Sequence, residues 1–192
     1  MRKLMTGACA LGLIGIAACT SGPLTPTLQL TFENYQTMPL QVRNVTVQEA
    51  YIAADDPDNV ASQFVLPPAE AVKRYANKRF SAQGIGDGHL TFVIEDARVH
   101  MRQIEQNNRV LSWAGVGKED EYRVLLQVSI TPQPHGTTRV SPSKVRMDRT
   151  IVMPSSITLA EREMRQIQFL EKMIADLDAQ VQQVLSSVPS IR

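Results

Sequence analysis

Between Leu90 and Met153 the chain alternates apolar and polar residues in three separate stretches, a pattern that leaves few folds open. Leu90, Phe92 and Ile94 alternate with Thr91, Val93 and Glu95. Tyr122, Val124, Leu126, Val128 and Ile130 alternate with Arg123, Leu125, Gln127 and Ser129. Val145, Met147, Ile151 and Met153 alternate with Lys144, Arg146, Asp148 and Thr150. Side chains of a strand point to opposite faces in turn, so each stretch reads as a strand with one apolar and one mixed face. Such strands suit an antiparallel sheet covered on one side only. The joining segments hold Asn107-Asn108 and Pro134-His135-Gly136, which predicts a meander.

The flanking segments supply the cover. Pro67-Pro68 opens a helix whose Ala69, Val72, Tyr75, Ala76 and Phe80 share one face, with Gly84 as its expected stop. Thr158 with Glu161 fits a capping box, and behind it Met164, Ile167, Leu170, Ile174, Leu177, Val181 and Leu185 form one apolar stripe. Packing on the chain's own sheet is preferred to a coiled-coil seam, and the helix ends before Pro189. Upstream, Leu28 to Phe32 reads as a short edge strand. Leu40, Val42, Val45 and Val47 carry a β-rich run to Ile52, with a phase change near Arg43-Asn44 that predicts a bulge. The expected fold is α+β: a two-layer sandwich of a four-stranded, mostly antiparallel sheet with two helices on one face, in the order β-α-β-β-β-α.

The N-terminus has a different logic. Arg2 and Lys3 precede an apolar, small-residue stretch from Leu4 to Ala18. This is the charge-then-apolar pattern of an export signal, and it falls short of the ~20 residues a membrane-crossing helix needs. Ile16-Ala17-Ala18-Cys19 resembles the lipobox of bacterial lipoproteins, with Ile in the place usually held by Leu. The resemblance implies cleavage before Cys19 and lipid attachment to it. The expected organisation is a signal peptide over 1–18, a flexible tether over 19–27 and a single α+β domain over 28–192. Position 20 is Thr rather than the Asp that favours inner-membrane retention, so the periplasmic face of the outer membrane is the expected location, reached through the N-terminal lipid.

Composition narrows function by exclusion. The chain has two cysteines, Cys9 and Cys19. If the first leaves with the signal and the second is acylated, no thiol remains for a disulfide, a nucleophile or a zinc site. Removing Arg2 and Lys3 from 20 basic residues leaves 18 against 19 acidic ones, which gives no global drive toward nucleic acid.

No motif identifies an enzyme. Gly84-Ile-Gly86-Asp-Gly88 follows a helix and precedes a strand, the reverse of a phosphate loop, so it reads as a turn. Asp55, Asp56 and Asp58 lack the spacing, glycine and closing Glu of a calcium loop and read as a solvated turn. His89, His100 and His135 are scattered. Ser141, Ser155 and Ser156 lack a nucleophile elbow. The expectation is a protein with no catalytic residue, no metal and no cofactor.

Two features carry a functional reading. Arg139, Lys144, Arg146 and Arg149 make the last strand basic, with Arg98, Arg102 and Arg109 around the first of the meander. If Lys144 and Arg146 face outward beside Arg123, the uncovered face holds a cationic strip, which reads either as a plain solvated face or as a site suited to phosphate groups. Trp113, the only tryptophan, sits in an expected loop with Val110 and Leu111, where it plugs the core edge or anchors a partner.

Element order, size and lipobox together resemble the outer-membrane lipopolysaccharide-assembly lipoprotein family. Leu90 to Val99, Glu121-Tyr122-Arg123-Val124 and the ending Val184-Leu185-Ser186-Ser187-Val188-Pro189-Ser190-Ile191 are the local echoes, within a likeness spanning Leu40 to Ile191. The resemblance implies docking to a large outer-membrane barrel and binding of lipopolysaccharide, with Arg123, Lys144 and Arg146 carried over as contacts. The alternatives are an auxiliary lipoprotein of an ABC-type lipid-transport system, in contact with transporter components, and an envelope lipoprotein with a structural or docking role.

Overall fold

A computed structural model of the chain describes residues 30–53, 56–105, 117–137 and 140–191. The lipobox with Cys19, Trp113 with Val110 and Leu111, and Asp55, Arg109 and Arg139 lie outside the described residues.

The meander forms as the alternation dictates. β4 (His89–Glu105), β5 (Lys118–Gln133) and β6 (Ser143–Pro154) pair antiparallel in sequence order. β2 (Asn44–Glu49) joins the other side of β4 in parallel, giving the order β2-β4-β5-β6. The fold is therefore α+β, a mixed four-stranded sheet with two helices against it. Leu90, Phe92, Ile94, Val124, Leu126, Val128 and Ile130 are fully or almost fully buried on the helix side.

α1 (Pro68–Arg79) starts as expected, with Pro68 at its first position, where a missing N–H costs nothing. Glu70 in its first turn and Lys78 and Arg79 in its last complement the helix dipole. Its end differs from the expectation. Phe80 turns directly into a short strand, β3 (Phe80–Ala82), so Gly84 stops no helix; it sits in the following turn at φ +71°. α2 (Leu159–Ser186) is nucleated by the predicted reciprocal cap, in which Glu161 N–H donates to the Thr158 hydroxyl and the Thr158 N–H to the Glu161 carboxylate. Ile167, Leu170, Met173, Ile174, Leu177, Val181 and Leu185 are buried, each large aliphatic contributing about 1.5–3 kcal/mol. Met164, expected in that stripe, is 39% exposed, because the stripe's first turn runs past the core.

The N-terminal portion departs most from expectation. Leu30 to Phe32 forms no strand; Leu30 is buried, and the segment packs beside Glu171 to Ala175 of α2. The phase change near Arg43 is a full break rather than a bulge. β1 (Met38–Leu40) pairs in parallel with β3 in a separate two-stranded sheet, while β2 belongs to the main sheet. The bulge occurs instead in β4, where the register with β5 shifts between Ile94 and Asp96. Ile94 and Ala97 are both buried, three residues apart, so Glu95 and Asp96 both reach the opposite face.

One buried polar cluster ties the helices together. Asp178 of α2 accepts from Arg79 Nε and from the Tyr75 hydroxyl, each at 2.7 Å, and from Gln182; Arg79 also donates to the Gln36 carbonyl. Burial and the Asp178 carboxylate push the Tyr75 phenol far above its ordinary range.

Candidate functional site

The helices cover one face of the sheet and leave the other to solvent. Outward positions of β4 carry Arg98, His100 and Arg102; of β5, Glu121, Arg123 and Gln127; of β6, Lys144, Arg146 and Asp148. The structure thus brings Arg123, Lys144 and Arg146 onto a single open face, with Arg98 and Arg102 beside them. Arg149 does not join them. It faces the helix side and pairs with Asp176 of α2 at 3.0 Å.

The strip is not bare. The Arg123 guanidinium grips Asp148 in a fork, its Nε at 2.9 Å, and Arg102 grips Glu121 the same way, at 2.6 and 3.1 Å. Lys144 Nζ reaches across β5 to Glu95 at 2.9 Å, a contact the bulge makes available. Arg98 binds Asp96 at 2.7 Å and lies 3.7 Å from Asp56. Arg146 has a neutral partner: Nε and Nη2 donate to the Gln127 amide oxygen at 2.9 and 2.6 Å, and Gln127 in turn donates to Glu95. The face is a lattice of alternating charge rather than the expected cationic strip.

This lattice tunes its carboxylates. Hydrogen bonds from Lys144 and then Gln127 hold Glu95 below its ordinary range. Arg102 does the same for Glu121, and Arg123 for Asp148. Asp56 is lowered mainly by the hydrogen bond with His100 Nε2, at 2.7 Å. The acidic turn is therefore more than a solvated turn. Asp56 docks it on β4, and Asn59 Oδ1 accepts from Val99 N–H at 3.0 Å.

Two shallow hollows adjoin along the face. One of about 430 Å³ is lined by His100, Met101, Arg102, Glu121, Arg123 and Thr150. The second, about 310 Å³, includes Arg98, Arg123, Gln127, Arg146 and Asp148, so Arg123 belongs to both. Arginine forks held by exposed carboxylates can exchange them for other planar or tetrahedral anions, because exposed ion pairs are individually weak. Binding of an anionic group across several forks is the chemistry this arrangement offers.

The remaining sequence candidates disperse. His89 contacts Asn44, His100 contacts Asp56, and His135 contacts Asp87. Among the described residues no three His, Cys, Asp or Glu side chains are grouped to hold a metal ion. Among the same residues no helix is long and apolar enough to cross a membrane. The Gly84–Gly88 segment is a turn against the β5–β6 connection: Arg43 Nε donates to the Gly86 carbonyl, and Asp87 accepts from Gly136 N–H. Sequence reasoning placed Glu95, Gln127 and Asp148 on the mixed face but missed them, with Asp96 and Glu121, as partners of its cations. Their signal was present, since all but the bulged Glu95 and Asp96 occupy regular outward positions of the meander.

No family model matches the sequence, and no curated protein matches it. Among solved structures the chain is similar to rare lipoprotein B from Shewanella oneidensis, at 11% identity and a TM-score of 0.31, covering 73% of this chain and 97% of that one. That protein is by name a lipoprotein. At this level of similarity the functional reading rests on the residues themselves.

Proposed function

We propose that the protein is a non-catalytic envelope lipoprotein, anchored through a lipid on Cys19, whose open sheet face binds the phosphorylated headgroup of lipopolysaccharide as an accessory to its assembly at an outer-membrane barrel. The observation that carries this reading is the run of guanidinium forks across adjacent strands, Arg102, Arg123 and Arg146, with Lys144 at its end, on a face that no helix covers among the described residues. Forks of this kind match phosphate oxygens in pairs. Arg146 supports the reading most directly, because its charge is met by an amide and an incoming phosphate displaces no carboxylate. Trp113 belongs to the reading as a contact for the barrel.

The test is direct. Lys144→Glu with Arg146→Glu weakens lipopolysaccharide binding at least tenfold in a titration with the purified lipidated protein, while its circular dichroism is unchanged. Binding equal to that of the unsubstituted chain refutes the site. Affinity purification from gently solubilised envelopes recovers an outer-membrane barrel in stoichiometric amount; recovery of transporter components alone favours the lipid-transport alternative. Mass spectrometry of the N-terminal peptide reports the lipid on Cys19.

A further inference from the structure

The two edges of the main sheet are treated differently. Beyond Ile94, where β2 ends, the exposed side of β4 is bonded as far as His100 by residues that follow β2: Ala50 N–H donates to the Ile94 carbonyl, Val60 N–H to the Val99 carbonyl, and Asn59 Oδ1 accepts from Val99 N–H. β6 at the opposite edge runs twelve residues and pairs with β5 alone among the described residues. An edge of that length presents a row of backbone donors and acceptors, a template for another strand.

From this edge we infer that the protein self-associates, β6 pairing antiparallel with β6 of a second copy about a two-fold axis, so that two sheets become one. The charges on β6 select both the occupant and the register. With Met147 opposite itself, Arg146 faces Asp148 of the second copy, and the reciprocal pair forms by symmetry. Sliding by one residue pair in one direction sets Arg146 against Arg146; sliding in the other sets Asp148 against Asp148. Only the intermediate register matches opposite charges without a like-charge clash at the centre. It pairs Ser143 with Ile151 and Lys144 with Thr150 at its ends. Arg146, met within its own chain by the Gln127 amide, shares there the Asp148 carboxylate of the second copy with the Arg123 that grips it. Above the edge, Asp176 is held by Arg149, and the half-buried Phe169 lies two turns earlier on the same side of α2, where it adds apolar area to the contact.

Cysteine cross-linking in envelopes holding the full chain tests the register. Lys144→Cys with Thr150→Cys places thiols opposite each other between copies but about 20 Å apart within one, at roughly 3.3 Å per residue. Mild oxidation is expected to give a dimer band well above that of the unsubstituted chain, which carries Cys9 and Cys19. Lys144→Cys with Val152→Cys is expected to stay at background. Independently, Arg146→Asp and Asp148→Arg each lower the dimer fraction seen by sedimentation in mild detergent, and the combined exchange restores it. A monomer throughout with no 144–150 cross-link, equal cross-linking at 144–152, or a cross-link to a different protein would each overturn the proposal. The cross-link reports strand register and the sedimentation reports dimer fraction, neither of them lipid binding, so they fail or succeed separately from the lipopolysaccharide reading.

Discussion

Replacing Asp178 by Ala removes the acceptor on which three buried or half-buried donors converge. Asp178 is 8% exposed, and Arg79 is 9% exposed. The substitution leaves the Arg79 charge with only the Gln36 carbonyl, and it strips the Tyr75 hydroxyl and the Gln182 amide of a partner. Breaking a buried ion pair by removing one member costs about 3–5 kcal/mol, a large part of the 5–15 kcal/mol that holds a typical domain folded. With a urea slope of about 2 kcal/mol/M, the unfolding midpoint falls by roughly 2 M. Urea titration followed by circular dichroism measures it, provided the slope is unchanged. The same argument makes Arg79→Met with Asp178→Leu more stable than Asp178→Ala, since an apolar pair leaves no buried charge uncompensated. A loss below about 1 kcal/mol for the single variant, or a double variant less stable than the single one, would refute the reasoning.

Three further outcomes follow from packing and charge. Leu177→Ala empties a fully buried site between α2 and the sheet and lowers stability by about 2–5 kcal/mol in the same titration, the higher figure if the cavity cannot collapse. Gly88→Ala sets a Cβ 2.9 Å from the Gln133 carbonyl oxygen and 3.1 Å from the His135 nitrogen, both backbone, so hydrogen exchange accelerates where the start of β4 meets the end of β5. The face carboxylates Asp56, Glu95, Glu121 and Asp148 all sit below their ordinary values of 3.8 for Asp and 4.5 for Glu. Depressed carboxylates stabilise the fold above those values, and that contribution is lost as pH falls through the lower folded values. Thermal midpoints are therefore level above about pH 5 and decline below pH 4, while uptake of anionic vesicles rises there as the freed cations lose their partners.

What could be read from the residues was what local periodicity controls. The alternation in β4, β5 and β6 and the spacing in α2 report directly which side chains turn inward, and the Thr158–Glu161 cap marks a helix start four residues wide. Where one pattern serves two structures, the reading failed. Leu28 to Phe32 alternates as a strand would, but where it is described, from Leu30 on, the chain pairs with no strand and Leu30 is buried beside α2. Phe80 satisfied the helical face of α1, yet its backbone already belongs to β3. The face suffered from a different gap. Its cations were legible, but Lys144 and Glu95 are 49 residues apart, Arg123 and Asp148 25, and Arg102 and Glu121 19. Only the strand register and the bulge at Glu95 join them, and a bulge leaves no mark in composition.

The parallel pairing of β2 with β4 also sets an order of events. β4, β5 and β6 pair with the strands next to them in the sequence, whereas Asn44 finds His89 only after α1 and β3 have been threaded between them. Loops of that span close slowly, so contacts of low sequence separation form ahead of them. The portion synthesised first is therefore the portion completed last. Until β4 is in place, β2 and the apolar face of α1 have only one another and the β1–β3 pair to pack against, and a chain delivered N-terminus first leaves them partly exposed for the whole interval. A holding chaperone for this protein would have its binding sites in residues 40–80.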